Sequence, residues 1–283
     1  LRDGCVVGKH AISDITQDQL IAEMVNRSSD LLNINKQYSE HREEILRAEH
    51  ICGFNQVNDA SFTLHKGEIL GFYGLVGAGR TEMIRAILGI DRMKSGTVIY
   101  NGAEVNFKNI RQSMKAGLVL VPEERRQQGL VMNMAIRQNT TLPKLRKYSR
   151  FGFLNQKKEI GDAEKLRKEL QLACASIENP ADSLSGGNQQ KVVLSKFIDM
   201  PVDVFIFDEP TRGIDVGAKS EIYTLIKKVS ERGASVIIIS SEIPEIQSIS
   251  DRVAVMKEGK VVKILNPEEF SNAETILKYS IGG

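Results

Sequence analysis

Apolar residues recur along this chain in two rhythms. From Val57 to His65 they alternate with polar ones, the period of a half-buried strand, while Gly67 to Gly74 is apolar almost throughout and predicts a buried strand entering a glycine-rich turn. A helix is expected from about Gly79 to Leu88, and a strand over Ala116 to Val121. Val204 to Phe207 and Ser235 to Ile239 are β-branched or aromatic runs of the kind buried on both faces of a parallel sheet. Between them, Gly217 to Glu231 has helical amphipathic spacing, and Ala135 to Cys174 is polar, basic in places and helical in period. Strand, crossover helix and strand repeated in this way predict an α/β fold with helices on both faces of a mostly parallel sheet. Its ligand site is expected beyond the carboxyl ends of the strands.

Composition narrows the class. At 283 residues and 41% apolar content the chain is long enough to bury a sizeable core. Its 38 basic and 36 acidic residues leave a net charge of +2, so no strong field marks nucleic acid or an anionic membrane as the main partner. Cys5, Cys52 and Cys174 are widely spaced and form no CxxC pair, which fits a reducing compartment and no zinc site. The longest apolar runs are too short to cross a bilayer. His10, His41, His50 and His65 have no metal-ligand spacing and are expected to be surface or structural residues.

A septet echo suggests more chain in front. LRDGCVV at Leu1 to Val7 matches MKEGKVV at Met256 to Val262 in pattern, and each copy runs into a short helical segment. Residues 1–27 are therefore expected to be the tail of a preceding homologous domain, residues 28–46 a polar linker, and residues 47–283 a complete domain.

The chemistry sits in glycine-rich and acidic motifs. GLVGAGRT at Gly74 to Thr81 fits the phosphate-loop pattern GxxxxGK[ST] except that Arg80 stands at the lysine position. Gly74, Gly77, Ala78 and Gly79 would wrap backbone N–H groups round phosphates, Thr81 would offer its hydroxyl to Mg²⁺, and Glu82 follows in the first helical turn. Arginine keeps the positive charge but not the reach or shape of lysine, so binding should survive better than catalysis. The plainer alternative is a glycine turn with an exposed arginine. FIFDEP at Phe205 to Pro210 brings Asp208 and Glu209 to a strand end, where paired carboxylates suit a metal ion and a water-polarising base. A solvated turn is the alternative there. LSGGNQQK at Leu184 to Lys191 predicts a helix whose first turn, with Ser185, Gly186, Gly187 and Gln189, presents free N–H groups and a positive dipole end to an anion. Asp215, in TRGIDVGAK, fits either a contact across a domain interface or an N-cap. Phe54 fits either stacking on adenine or core packing.

In order, GLVGAGRT, VPEER, LSGGNQQK, FIFDEPTRGIDVGAK and IISSEIPE resemble the second ATP-binding domain of the bacterial carbohydrate importers, the ribose, galactose and xylose uptake family of ABC transporters. The resemblance covers nearly all of residues 47–283. It implies a P-loop NTPase core of ABC type, an antiparallel β subdomain, and a helical subdomain at about 124–182. ATP and Mg²⁺ are the implied cofactors. The implied partners are a first ATP-binding domain in the same subunit, transmembrane permease subunits and, indirectly, a sugar-binding protein, with the chain at the cytoplasmic face of the membrane.

By register with that family Glu123 occupies the Q-loop glutamine position and Ser241 the switch histidine position. The resemblance therefore implies asymmetry. Ser185, Gly186 and Gly187 would complete the hydrolytic site of the other domain, while the site built on Gly74 to Thr81 binds nucleotide and turns over slowly. A regulatory or structural nucleotide-binding module without hydrolysis is the alternative reading.

Overall fold

The computed structural model describes residues 43–281, together with Lys9 and Ala11. The expected domain tail at 1–27, the first septet copy and most of the expected linker lie outside the described residues. At its end the linker expectation needs correction, because β1 (Glu44–Gly53) already begins before residue 46. Ile45, Leu46, Ala48 and Ile51 are buried there, which gives this stretch a core face rather than a solvated one.

In chain order β2 (Asn58–His65) and β3 (Ile69–Gly74) lead to helix α1 (Arg80–Ile87), followed by β4 (Met93–Tyr100), β5 (Ala103–Val105), α2 (Ile110–Ala116) and β6 (Leu118–Val121). The strand expected from Ala116 thus starts later, because Gly117, at φ 101°, caps α2 before β6 begins. After a π turn at Arg125–Gly129 come α3 (Ile136–Thr141), the short strands β7 (Ser149–Arg150) and β8 (Phe153–Leu154), and α4 (Gln156–Glu169). The segment expected to be a helical subdomain is therefore helical with a hairpin inside it. The remainder is α5 (Gly186–Ser195), β9 (Val204–Asp208), α6 (Val216–Glu231), β10 (Ser235–Ile239), α7 (Ile243–Ile249), β11 (Arg252–Lys257), β12 (Lys260–Leu265), α8 (Pro267–Phe270) and α9 (Ala273–Ile281).

Two larger sheets organise these elements. One is antiparallel, in the order β2-β1-β4-β5, and the other has the order β12-β11-β3-β10-β9-β6. In the second, every neighbouring pair is parallel except β11 with β12. Between their ends its central strands are apolar because both faces are covered: Val236 and Ile238 enter one core, and Ile237 and Ile239 enter the other. Helix α6 buries Ile222, Leu225, Ile226 and Val229, a three-and-four spacing that lays one stripe on the sheet.

A buried ionic knot joins the two sheets. Glu68, fully buried just before β3, receives Arg252 from β11 at 2.5 Å and 3.0 Å and His65 from β2 at 2.9 Å. The same guanidinium donates to the Thr63 carbonyl at 2.8 Å. His65 is thus structural, and His50 sits at the surface beside Asp59.

Candidate functional site

The glycine loop lies where a buried strand ends and a helix begins. Gly79 is the N-cap of α1 at φ 90°, a left-handed conformation that a side chain disfavours. Space forbids one as well, since a Cβ there would come within 2.1 Å of the Gln56 carbonyl oxygen. Gly259 holds the loop from the other side, its N–H donating to the Ala78 carbonyl at 3.0 Å. The loop is therefore set by two other turns, one between β1 and β2 and one between β11 and β12.

Three strand ends meet it. Thr81 donates its hydroxyl to Asp208 at the end of β9 at 3.1 Å. Asp208 is almost completely buried, and burial first, then the neighbouring Glu209, pushes its carboxyl up to about 6 against the pull of the Thr81 hydrogen bond. A hydroxyl beside a buried carboxylate, both hard oxygen donors, suits Mg²⁺, which needs only one or two protein oxygens when phosphates complete its shell. Among the described residues no group of three or more His, Cys, Asp or Glu could hold a metal alone.

Arg80 is buried and reaches across the site. Its Nη1 donates to the Ser240 carbonyl beyond β10 at 2.6 Å, and its Nη2 lies 3.6 Å from Glu209 Oε1. On its other oxygen Glu209 accepts the Ser241 hydroxyl at 3.1 Å. Glu209 itself has φ 45°, and its N–H donates to the Ile239 carbonyl at 2.9 Å, so its backbone is tied to the neighbouring strand. Glu123, beyond β6, pairs with Arg212. Gly77, Ala78, Gly79, Arg80, Thr81, Glu82, Glu123, Glu209, Arg212 and Ser241 together line one cleft of about 350 Å³. A second cleft of about 330 Å³ beside it shares Glu82 and is lined by Phe54, which is 66% exposed and hence outside the core.

Residues of the LSGGNQQK segment divide into an open side and a packed side. Ser185 is the exposed N-cap of α5, and its hydroxyl caps none of the helix N–H groups; it accepts from the Asn188 amide at 2.9 Å. No side chain therefore caps the first-turn N–H groups of α5. Gly187 is buried, and a Cβ there would stand 2.7 Å from that of Ala218, so glycine lets α5 approach α6. Gln189 does not join the open side. It is fully buried, its amide donates to the Leu184 carbonyl at 3.0 Å, and its carbonyl oxygen accepts from Arg125 at 3.3 Å. Asp215 is the N-cap of α6, accepting from the Ala218 N–H at 2.9 Å, and remains exposed.

Periodicity and motif spacing do not point to Arg125. Its guanidinium donates to the Arg212 carbonyl at 2.7 Å and the Gly213 carbonyl at 3.1 Å as well as to Gln189. Burial, and after it the neighbouring Arg126, pulls its pKa down. The one signal in the chain is that Arg125 and Arg212 both stand inside motif segments, VPEER and TRGID. Nothing local shows that they meet.

A family profile described as ABC transporter matches residues 57–212, more than half of the chain. The chain belongs to the ABC transporter family. It is 42% identical over 283 residues to the ribose import ATP-binding protein of Lactococcus lactis subsp. cremoris, covering 100% of this chain and 57% of that protein. It is also 42% identical over 276 residues to a putative ribose/galactose/methyl galactoside import ATP-binding protein of Rhizobium meliloti, covering 98% and 55%. This ABC chain thus spans little more than half the length of the curated relatives it matches. Among solved structures, an ATP-binding cassette of an ABC transporter in its ADP conformation superposes with a TM-score of 0.70 at 20% identity, covering 85% of this chain and 99% of that one. A dimeric cassette in a post-hydrolysis state with ADP and Pi gives 0.67 at 20% identity, covering 79% and 99%. These likenesses establish the P-loop ABC ATPase fold.

Proposed function

We propose that this chain supplies one of the two ATP-binding domains of an ATPase subunit that energises carbohydrate import. The observation that carries the reading is the hydrogen bond from Thr81, at the start of α1, to the buried Asp208, with Glu209 next to it and the glycine loop above. Loop N–H groups bind and orient the phosphates of ATP, Thr81 and Asp208 hold Mg²⁺, and Phe54 covers the base in the adjoining cleft. The bound ion would neutralise charge on the phosphates. Glu209 is placed to take a proton from an attacking water, and Ser241 orients it.

The same arrangement favours slow turnover at this site. With Arg80 facing Glu209 and donating to Ser240, the cation lies against the base. Arg80 and the Ser241 hydroxyl each engage one oxygen of that carboxylate, which leaves less of it open to a water. The exposed Ser185 and the first-turn N–H groups of α5 then serve triphosphate seated on a second ATP-binding domain, whose own site does most of the hydrolysis. Transmembrane permease subunits would receive the resulting motion, and a sugar-binding protein would deliver the cargo, with this chain at the cytoplasmic face. The names and lengths of the relatives support the sugar class and the second domain.

Isothermal titration tests the reading directly. Mg-ATP is expected to bind the chain, Asp208→Asn to lose the Mg²⁺ dependence of that binding, and Phe54→Ala to weaken it roughly tenfold. Binding that is indifferent to Mg²⁺ and to both substitutions would overturn the site.

A further inference from the structure

The net charge of +2 conceals a concentrated patch. Residues 142–158 carry six cations, Lys144, Arg146, Lys147, Arg150, Lys157 and Lys158, and no acid. Ion pairs with Asp199 and Asp162 engage Lys144 and Lys147. Among the described residues no carboxylate pairs with the other four, all of which are exposed.

Between these cations stands the β7–β8 hairpin, whose tip is aromatic. Phe151 is 87% exposed and Phe153 80%. Arg150 pairs with Phe153 across the strands, and its guanidinium lies 5.4 Å from the Phe151 ring centre. Phe151 and Gly152 have φ 50° and 84°, the double left-handed turn that favours Asn-Gly at these two places. A phenylalanine there works against both backbone preference and solubility, so local folding does not account for it.

We propose that this hairpin is a contact for an anionic lipid surface, its two phenyl rings entering the interface while Arg146, Arg150, Lys157 and Lys158 meet acidic headgroups. Charge complementarity selects this occupant: a hairpin tip carrying two exposed apolar rings, flanked along the chain by four exposed cations without carboxylate partners among the described residues, matches a surface that is negative outside and apolar just beneath. The core of a protein–protein interface is depleted of charged residues, whereas cations stand on both sides of these rings in the chain. The contact needs neither ATP nor a permease, so its failure would leave the nucleotide-site reading untouched.

Sedimentation of the full chain with vesicles is the test. Binding to equimolar phosphatidylcholine and phosphatidylglycerol is expected to exceed binding to phosphatidylcholine alone by roughly tenfold or more, and to fall with added salt. Phe151→Asn supplies the residue the turn prefers, so it is expected to keep or raise the melting temperature while weakening vesicle binding several-fold. Joint replacement Arg150→Glu, Lys157→Glu and Lys158→Glu is expected to abolish the preference for the anionic lipid. Equal binding to both vesicles, unchanged binding by these variants, or binding to single-stranded RNA without binding to vesicles would each overturn the proposal.

Discussion

Arg80 Nη2 stands 3.6 Å from Glu209 Oε1, so the arginine at the lysine position of the glycine loop meets the carboxylate proposed to activate water. The pair is nearly enclosed, with side chains 10% and 11% exposed, which limits solvent screening. A site that keeps the glycine loop and the acid pair thus holds Glu209 beside a fixed cation.

Shortening that cation should release the base. Arg80→Lys combined with Ser241→His is expected to raise phosphate release from the site on this chain by roughly tenfold or more, with Glu209→Gln in the same background cancelling the gain. Single-turnover measurement with labelled ATP reads this. No change in turnover would remove the slow-site reading.

Arg125 connects regions far apart in the chain, holding the Arg212 and Gly213 carbonyls and the buried Gln189 beneath Ser185. The Glu123–Arg212 pair lines the cleft at the glycine loop and joins this network at Arg212. Arg125→Ala is therefore expected to speed amide exchange together at residues 186–189 and 212–215, by about tenfold, since hydrogen bonds to a charged donor contribute about 1.5–3 kcal/mol each. Faster exchange in one segment alone would mean that the two are not coupled through this side chain.

Glu68 holds three elements through one buried carboxylate. Glu68→Gln removes the buried carboxylate that accepts two hydrogen bonds from the Arg252 guanidinium, and a loss of about 3–5 kcal/mol is expected in denaturant unfolding. A shift below about 1 kcal/mol would show that the knot contributes little to stability.

Lys196, at the end of α5, is buried and donates to the Gly129 carbonyl. Burial pulls its pKa down from 10.5 to about 8. Below about pH 8 it is charged in both folded and unfolded states and its burial cost is fully present. Between about pH 8 and 10 the unfolded chain holds more protons, so this group makes stability rise with pH, by a few kcal/mol at most. Lys196→Met is expected to remove that slope when melting is followed from about pH 7 to 9.5. An identical pH dependence in parent and variant would contradict the assignment.

The motifs were legible because their chemistry is local. GLVGAGRT announces a phosphate loop by itself, since glycine spacing and an adjacent hydroxyl serve phosphates whatever surrounds them. Apolar runs likewise announced β3, β9 and β10, whose burial on both faces leaves no alternation to misread. β1 was harder: its pairing partners β2 and β4 make it a strand, whereas its charged positions resemble the polar stretch before it.

What the chain alone determined is the order of chemical groups: the loop with its replaced lysine, then the glycine-led helix, then the acid pair. Only the tertiary structure decided where those groups point. Arg80 lies 160 residues from the carbonyl it binds, and Arg125 lies 87 from Arg212. Gln189, adjacent to the open serine and glycines, turns inward because a buried amide must find partners and Arg125 supplies one. Side-chain direction depends on the nearest donors and acceptors in space, and these come from strands and turns that sequence spacing does not bring together.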